Sequence, residues 1–437
     1  MRISVFGCGY LGAVHAACMV KLGHEVVGID VIEAQVTALA EGRAPFHEPG
    51  LPELLEEALA TGRLRFSTDA AEAAGAEVHF VCVGTPQKRG ENAADLRYVQ
   101  AAVDDLIPHL SPGDVVVGKS TVPVGTAENI AARLWKDAPE VTLLWNPEFL
   151  REGHAVDDTL RPDRFVYGVQ AGEADARAVA RLDEVYAVAL ADGTPKLVTD
   201  LATAQLVKVA ANSFLATKIS FINAMAELCE ATGADVTQLA DAIGLDDRIG
   251  RRFLDAGLGF GGGCLPKDIR AFMARAGELG ADQALSFLRE VDAINMRRRV
   301  RMVDLAREEL GGSIVQRRIA VLGAAFKPHS DDVRDSPALS VAAQMQLQGA
   351  SVTVTDPWAV PNARKKWPDL TFVDNVEDAL RGAELVLVGT EWPEYVALDP
   401  EKVSRLVKDR RIIDGRNCLD PTAWRDAGWT YRALGRP

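Results

Sequence analysis

The chain has 437 residues, of which 48% are hydrophobic and 25% are charged, and its formal net charge is −14. This length indicates two or three domains, and the composition is typical of a soluble globular protein. The acidic balance argues against a general nucleic-acid-binding protein, which would carry a basic face, but a local cluster of Arg and Lys could still bind an anionic small molecule.

The cysteines and the apolar runs exclude further classes of protein. The six cysteines are scattered without a Cys-x-x-Cys pair, which argues against a disulfide framework and against a zinc site. No apolar run approaches the ~18 residues of a membrane span. The chain opens on a predicted strand at Ile3–Phe6, which leaves no room for a signal peptide. We therefore expect a reduced, cytoplasmic protein that binds neither membranes nor nucleic acid.

Predicted strands alternate with predicted helices through the first 195 or so residues. Strands separated by helices of this length form a parallel α/β sheet, and ligands bind beyond the carboxyl ends of its strands. Most of these runs end in Gly, Asn, Thr or Pro, which are typical of loops. The predicted strands are Ile3–Phe6, Glu25–Ile29, Val78–Val83, Val115–Lys119 and Thr142–Trp145.

A dinucleotide-binding fingerprint follows the first strand. Gly7 would make the turn, Gly9 would let the backbone approach a pyrophosphate, and Gly12 would let the helix pack closely on the strand. Asp30 ends the second strand, where an acid accepts hydrogen bonds from ribose hydroxyls and repels a 2′-phosphate. The pattern predicts NAD rather than NADP.

Three later strand ends are predicted to border the same crevice. Thr85 lies in Val83–Pro86 and Thr121 lies in Ser120–Pro123, although ordinary turn chemistry explains either segment equally well. Asn146–Gly153 carries Glu148 and Glu152, two carboxylates that could position and deprotonate a water molecule. Taken alone, a segment of this kind is more often a helix-capping turn.

A long helix without Gly or Pro is predicted from Leu201 to about Thr232. Such a helix would span ~45 Å, so we expect it to link two domains and to pack against a partner subunit. Lys208 and Asn212 are four residues apart and share a face of this helix. A cation beside an amide suits the stabilisation of a developing oxyanion, and the alternative is a solvated polar stripe.

The run Gly259–Asp268 gives the clearest indication of the reaction chemistry. Cys264 follows four glycines, which we interpret as room for a substrate, and Pro266 is typical of the first turn of a helix. A helix N-terminus and the neighbouring Lys267 both favour a thiolate over a thiol. The alternative is a glycine-rich turn around a small buried cysteine. We predict that Cys264 is a nucleophile.

A second α/β unit begins after more helix, with strands predicted at Arg318–Gly323, Ser351–Thr355, Leu385–Gly389 and Arg411–Asp414. The predicted fold class is therefore α/β. An N-terminal Rossmann-type domain and a C-terminal Rossmann-like domain are joined by a long central helix and a helical domain. We place the boundaries at 1–198, 199–312 and 313–437.

Taken together, these segments resemble the UDP-glucose/GDP-mannose dehydrogenase family. The likeness covers nearly the whole chain, and the segment around Cys264 is highly specific to the family, whereas the glycine fingerprint is not. The family's motifs occur in the same order, at Gly7–Gly12, Asn146–Leu150, Lys208–Asn212, Gly259–Asp268 and Ala325–Lys327.

The resemblance implies an NAD-dependent enzyme that oxidises C6 of a nucleotide sugar twice. The alcohol becomes an aldehyde, the Cys264 thiolate adds to it, a second oxidation converts the thiohemiacetal to a thioester, and water releases the acid. The expected substrate is UDP-glucose and the expected product is UDP-glucuronate. The first domain would bind NAD, the central domain would carry dimerisation and catalysis, and the last domain would bind the UDP-sugar.

The resemblance also assigns roles to residues. Lys208 and Asn212 match an oxyanion-stabilising pair, Asp268 matches a group that organises proton transfer near the thiol, and Glu148 matches a water-activating group. The expected catalytic residues are Cys264, Lys208, Asn212, Asp268, Glu148, Glu152 and Thr121. The expected cofactor-binding residues are Gly7, Gly9, Tyr10, Leu11, Gly12, Asp30, Thr85, Thr121, Glu152, Lys267 and Arg334. The expected substrate-binding residues are Phe149, Leu150, Lys208, Asn212, Arg248, Phe260, Gly261, Phe326, Lys327 and Arg416.

Two assignments remain open beside this one. Within the family, a GDP-mannose 6-dehydrogenase that makes GDP-mannuronate fits almost as well. From another class, the chain could be a non-catalytic nucleotide-sugar binder that kept the fold, although an intact Cys264, Lys208 and Asp268 speak against it. The resemblance further implies a homodimer in which Arg248 reaches the neighbouring active site.

Overall fold

The structure, a computed structural model, describes residues 1–170 and 172–437. The chain divides into two compact units. The first unit contains Met1–Ala211 and Arg270–Gly280, and the second contains Asn212–Ile269 and Ala281–Pro437. Each unit contains one largely or entirely parallel sheet, and the helix predicted from Leu201 is present over Leu201–Thr232. The predicted fold class is confirmed.

The sheet of the first unit has eight strands in the described residues, in the order β3-β2-β1-β4-β5-β6-β7-β8. The first six run parallel, β7 pairs antiparallel to β6, and β8 pairs parallel to β7. Its strands are β1 Arg2–Phe6, β2 Glu25–Ile29, β3 Leu64–Ser67, β4 Val78–Val81, β5 Val115–Gly118, β6 Thr142–Trp145, β7 Phe165–Val169 and β8 Lys196–Asp200.

Five of these strands are predicted from the sequence, whereas β3, β7 and β8 are not. The central strands are easy to identify because they are buried on both faces and read as continuous runs of Val and Phe. β8 is an edge strand whose residues are mostly exposed, so it lacks that signal. The strand order reverses between β1 and β4, and this is where a doubly wound sheet binds its ligand.

Helices cover the sheet of the first unit, and more helices follow it along the chain. The helices of the first unit are α1 Tyr10–Lys21, α2 Glu33–Ala40, α3 Leu51–Ala60, α4 Arg97–Leu106, α5 Thr126–Asp137, α6 Ala155–Leu160, α7 Glu173–Val185 and α8 Ala187–Ala191. The following helices are α9 Leu201–Thr232, α10 Val236–Gly244, α11 Leu265–Glu278 and α12 Phe287–Glu309. Among the described residues, no helix has both the length and the apolar character needed to cross a membrane.

The sheet of the second unit has six parallel strands in the described residues, in the order β11-β10-β9-β12-β13-β14. The strands are β9 Arg318–Leu322, β10 Ser351–Thr355, β11 Thr371–Phe372, β12 Leu385–Val388, β13 Arg411–Asp414 and β14 Thr430–Ala433. The remaining helices are α13 Pro337–Leu347, α14 Val360–Lys366, α15 Val376–Leu380, α16 Pro393–Val396, α17 Pro400–Val403 and α18 Pro421–Asp426. The four predicted strands are present, and the two edge strands β11 and β14 are additional.

Candidate active site

The turn formed by the glycine fingerprint is closely packed at Gly7 and Gly12 and open at Gly9. Gly7 has a φ of +87°, and a Cβ there would lie 2.6 Å from a methyl carbon of Val83. A Cβ on Gly12 would lie 1.8 Å from the Gly7 carbonyl oxygen, whereas a Cβ on Gly9 would meet nothing within 4 Å. The backbone at Gly9 therefore faces open space at the start of α1, which is the arrangement that a bound phosphate requires.

Asp30 stands at the end of β2, next to this turn. Its carboxylate accepts hydrogen bonds from the backbone N–H groups of Cys8 at 2.7 Å and Ile32 at 3.0 Å. Gly7 also donates to the carbonyl of Ile29 at 2.8 Å, so the two strand ends are tied together. An acid at this point beside an open phosphate cradle fits the ribose of NAD.

The two threonines predicted to border the crevice lie next to each other. The Thr85 hydroxyl donates to the carbonyl of Thr121 at 2.7 Å, and the Ser120 hydroxyl donates to the carbonyl of Val83 at 2.7 Å. These bonds join the loops after β4 and β5. The structure therefore brings together the groups that the sequence placed at one edge of the sheet.

Glu148 and Lys208 form a largely buried ion pair in the first unit. Their atoms Oε1 and Nζ are 3.1 Å apart, and the side chains are 15% and 7% exposed. The other carboxylate oxygen of Glu148 accepts from the N–H of Leu150 at 2.7 Å, and the Lys208 ammonium lies 5.6 Å from the centre of the Phe149 ring. The carboxylate therefore has a fixed position, and its charge is offset by a lysine.

Glu48 organises the loop after Glu152 and is not predicted as a site residue from the sequence. Glu48 is buried and accepts hydrogen bonds from the N–H groups of Gly153 at 2.6 Å and Ala155 at 2.7 Å. The Tyr10 hydroxyl also donates to Glu48. Burial and the bond to Glu48 raise the pKa of Tyr10 well above its usual range. Glu48 gives only a weak sequence signal, because an acid before Pro-Gly is ordinary in a surface loop.

In the second unit, Cys264 occupies the position that the sequence predicts. The cysteine is exposed and directly precedes α11, and its carbonyl accepts the N–H of Asp268 at 2.9 Å. Pro266 lies in the first turn, as expected. The amino end of a helix carries partial positive charge, which favours an anionic sulfur. The alternative of a small buried cysteine does not hold for this residue.

Asp268 and Asn212 are in direct contact in this unit. The Asn212 amide donates to the Asp268 carboxylate at 2.6 Å, and the Lys267 ammonium contacts the other carboxylate oxygen. Asp268 is 2% exposed, so these two groups decide its environment. A buried carboxylate four residues after the thiol is thus held in one orientation.

The glycines before Cys264 do not leave the room that we expected. A Cβ at Gly261 would lie 2.4 Å from the carbonyl oxygen of Asp335, and a Cβ at Gly263 would lie 2.2 Å from the guanidinium carbon of Arg334. On the Cβ side of Gly261 and Gly263 the space is filled by the chain itself, so the expected room for a substrate is absent on that side. Glycine is needed because neighbouring groups approach the backbone closely.

Arg416, an expected substrate-binding residue, contacts three loops of the second unit. Its guanidinium donates to the carbonyls of Gly389 at 2.8 Å, Gly259 at 2.9 Å and Phe326 at 3.2 Å. Lys327 lies with its ammonium 5.5 Å from the centre of the Phe326 ring. Arg416 therefore holds the backbone of Phe326, which the resemblance assigns to the same site.

Two other predicted arginines are more accessible. The side chain of Arg248 is 89% exposed and pairs with Asp246 at 2.6 Å. The side chain of Arg334 pairs with Asp332 at 2.7 Å and lies against Gly263. An exposed arginine can turn toward a diphosphate without loss of a buried contact.

Three family models match consecutive parts of the chain. Residues 1–190 match the NAD binding domain of the UDP-glucose/GDP-mannose dehydrogenase family, residues 202–297 match its central domain, and residues 320–421 match its UDP binding domain. The first match confirms that NAD is the cofactor, as Gly7, Gly9, Gly12 and Asp30 predict.

Similar proteins extend over the full chain. A UDP-glucose 6-dehydrogenase of Rhizobium meliloti is 41% identical over 440 residues and covers 100% of both chains. One of Bacillus subtilis is 40% identical and covers 100% of this chain and 93% of its own. The structure of a UDP-glucose dehydrogenase from Pyrobaculum islandicum, 40% identical, superimposes with a TM-score of 0.90 over 100% of this chain and 98% of its own. The predicted oxidoreductase class is thereby confirmed, and the chain belongs to the UDP-glucose/GDP-mannose dehydrogenase family.

Proposed function

We propose that the protein is a UDP-glucose 6-dehydrogenase that oxidises C6 of UDP-glucose twice and releases UDP-glucuronate. The observation that carries the proposal is the exposed thiol of Cys264 at the start of α11, in a chain with an NAD cradle. A simple alcohol dehydrogenase needs no thiol. A four-electron oxidation does, because an aldehyde cannot give up a hydride readily until a nucleophile has made its carbon tetrahedral.

The chain's own residues would hold the cofactor at the carboxyl ends of β1 and β2. The open backbone at Gly9 would receive the diphosphate, and Asp30 would accept hydrogen bonds from the ribose hydroxyls. When bound, NAD supplies the oxidant and takes one hydride in each oxidation. We further assign cofactor contacts to Tyr10, Leu11, Thr85, Thr121, Glu152, Lys267 and Arg334.

The covalent part of the reaction takes place on Cys264. Its thiolate adds to the aldehyde carbon and forms a C–S bond, and the oxygen takes up a proton to give a thiohemiacetal. Loss of that proton and of the C6 hydride leaves a thioester. Water then adds to the acyl carbon, the C–S bond breaks, and the carboxylate and thiolate are released. Each turnover consumes two NAD⁺ and one water and releases two NADH and three protons.

The buried polar pairs would serve the proton transfers. Lys208 and Asn212 would stabilise negative charge on the C6 oxygen, since both can donate hydrogen bonds to it. Asp268, held by Asn212 at 2.6 Å, would accept protons beside the thiol. Glu148 would position the hydrolytic water, together with Thr121 and Glu152.

The substrate assignment is supported by the relatives and by the family model. Both curated relatives described above act on UDP-glucose by name, and the C-terminal match is to a UDP binding domain. We assign substrate contacts to Phe149, Leu150, Lys208, Asn212, Arg248, Phe260, Gly261, Phe326, Lys327 and Arg416. For Arg416 the contact would run through the backbone of Phe326, whose carbonyl it holds.

The test counts NADH per substrate molecule. We expect two NADH per UDP-glucose and no turnover of GDP-mannose at equal concentration. One NADH per sugar would indicate a simple alcohol dehydrogenase, and none with either sugar would indicate a binder. Cys264→Ser should arrest the enzyme before release of the acid, although the first oxidation can persist. Free uronate formed by this variant at the normal rate would disprove the covalent assignment.

We also propose a homodimer built on α9. Phe214, Phe221 and Leu228 recur every seven residues and are 66%, 48% and 58% exposed. A seven-residue repeat places apolar side chains on one helix face, and an exposed apolar face of this kind favours association. Phe221→Asp should therefore give monomers in analytical ultracentrifugation, whereas Trp135→Asp, which changes an exposed aromatic residue of α5, should stay dimeric.

The dimer would place Arg248 in the neighbouring site. If it does, Arg248→Ala and Cys264→Ser subunits are each inactive alone, but a mixture regains activity in hybrid dimers that contain one intact site. A mixture that stays inactive after subunit exchange would rule out this role. The proposed setting is the cytoplasm, where the six cysteines, none of which is in a disulfide in this structure, remain reduced.

A further inference from the structure

A lysine that the proposed mechanism does not use is buried beneath Glu148. Lys119 ends the Val-rich β5 run and is 7% exposed. Its ammonium donates to the side-chain oxygen of Asn146 at 3.0 Å and approaches the Asn146 carbonyl at 3.5 Å. Asn146 is the first residue of the turn that leads through Pro147 to Glu148. The lysine thus holds the turn at the point where it leaves β6.

Aromatic rings and polar oxygens surround the ammonium of Lys119. Its ammonium lies 5.8 Å from the centre of the Tyr186 ring and 6.0 Å from that of Phe80. The Tyr186 hydroxyl lies 3.4 Å from the ammonium and donates to the Asn146 side-chain oxygen at 3.0 Å. The Asn146 amide donates to the carbonyl of Val166 on β7 at 3.0 Å. Each polar group of this cluster is therefore used, which favours one orientation of the turn.

We propose that Lys119 is a positioning residue for the water-activating carboxylate. By holding Asn146 through its side-chain oxygen and its carbonyl, it fixes the turn Asn146–Leu150 and with it the place from which Glu148 reaches Lys208. The lysine touches neither substrate nor cofactor in this role. The catalytic part of the inference rests on the proposed function, and the part that concerns the rigidity of the turn does not.

The charge of Lys119 is sensitive to pH in the working range. Burial lowers the pKa of Lys119 to about 8, against the opposing effects of Cys82 and Glu148. The other titratable groups that face it are Lys208 from α9, His15 from α1 and Tyr186 from the end of α7. A neutral amine donates a weaker hydrogen bond than an ammonium does. The hold on Asn146 should therefore weaken as the pH rises through about 8.

The kinetic test uses Lys119→Met, which keeps the length of the side chain and removes the donor. A carboxylate displaced by about 1 Å can cost about 100-fold in rate, so we expect kcat to fall roughly 10- to 100-fold while kcat/KM for UDP-glucose changes little, because the steps before the thioester are not affected. Because hydrolysis is the step affected, a burst of two NADH per active site should precede slow turnover. Lys196→Met is the control, since Lys196 lies 5.7 Å from the centre of the Tyr167 ring at the far edge of the same sheet.

Two further comparisons separate positioning from general damage. In a double-mutant cycle, Lys119→Met should cost little when Glu148 is already Gln, because it acts through that carboxylate. Independent effects that multiply would overturn the inference. The arginine in Lys119→Arg keeps its charge at all accessible pH values. The ratio of the wild-type kcat to the variant kcat should therefore decrease as the pH is raised from 7 to 9.5. A ratio that does not change with pH would likewise contradict the inference.

Hydrogen–deuterium exchange provides a readout that needs no activity. Amides of residues 146–153 should exchange faster in Lys119→Met than in the wild type or in Lys196→Met. Unchanged exchange in that segment would refute the positioning role whatever the kinetics show. A wild-type protein that makes no NADH from UDP-glucose would refute the proposed function instead, and faster exchange would still support the structural part of the inference.

Discussion

The loop that carries the thiol depends on one buried amide, that of Asn295 on α12. Its Oδ1 accepts from the N–H of Phe260 at 2.8 Å, and its Nδ2 donates to the Phe260 carbonyl at 3.0 Å. Asn295 is completely buried. Neither group of Phe260 can turn to water when the amide is removed, so Asn295→Ala should affect both the stability of the second unit and the thiol loop.

The size of the effect follows from the hydrogen bonds that remain. A buried donor or acceptor left without a partner costs about 1–3 kcal/mol. The Phe260 carbonyl keeps a long contact to Arg299 at 3.5 Å, whereas its N–H keeps none in the described residues. We therefore expect the free energy of unfolding to fall by about 2–4 kcal/mol. At about 2–4 °C per kcal/mol, the melting temperature of this unit should fall by roughly 5–15 °C.

Calorimetry and thiol alkylation together measure the effect. Cys264 is the exposed cysteine among the six, so its reaction with iodoacetamide, followed by intact mass, reports on the loop. The rate of Cys264 alkylation in Asn295→Ala should differ from that in the wild type. Asn362→Ala is the control, because Asn362 also makes two hydrogen bonds, to Asp331 at 3.1 Å and 3.0 Å, but lies half-exposed. A melting temperature within about 2 °C of the wild type and an unchanged alkylation rate would refute the reasoning, since 2 °C is less than 1 kcal/mol.

Three other outcomes follow from the first unit. Burial lowers the pKa of Lys119 from 10.5 to about 8. The buried ammonium therefore destabilises the folded state in full below pH 8, and this destabilisation disappears as the pH rises to 10.5. At 1.36 kcal/mol per pH unit, the free energy of unfolding of the wild type should rise by about 3 kcal/mol relative to that of Lys119→Met between pH 8 and pH 10.5, which melting temperatures would measure. A difference in melting temperature that stays constant over this interval would argue against a lowered pKa of Lys119. Gly12→Ala, whose Cβ would lie 1.8 Å from the Gly7 carbonyl oxygen, should unfold at lower temperature without NAD, whereas Gly9→Ala should keep its melting temperature and bind NAD more weakly in calorimetric titration. Asp30→Ala should narrow the preference for NAD over NADP in kcat/KM, and an unchanged preference would show that the acid does not contact the ribose.

Much of the fold can be predicted from the sequence because the patterns that indicate strands and helix starts depend on neighbouring residues. The runs that became β1, β2, β4, β5 and β6 are apolar on both faces, and such runs form buried parallel strands whatever lies further along the chain. Cys264 before Leu265-Pro266 predicts a helix start, since Pro fits the first turn and little else. The edge strands β8 and β11 escaped detection because they have little burial to leave a pattern.

The choice of polar partners was decided by tertiary structure. Lys208 and Asn212 share a helix face, and the local sequence does not indicate that Lys208 bonds Glu148, 60 residues away, or that Asn212 bonds Asp268, 56 residues away. The role of Lys119 also depends on Asn146, 27 residues on. Hydrogen-bond partners are selected by the packing of distant elements, which no local period encodes.

The sequence by itself determined the two parallel sheets, the NAD cradle and a thiol at a helix start, because glycine spacing and hydrophobic period act over a few residues. Only the tertiary structure decided what surrounds that thiol. On their Cβ side, Gly261 and Gly263 lie against Asp335 and Arg334 of their own chain, because distant segments pack closely where these residues have no side chain.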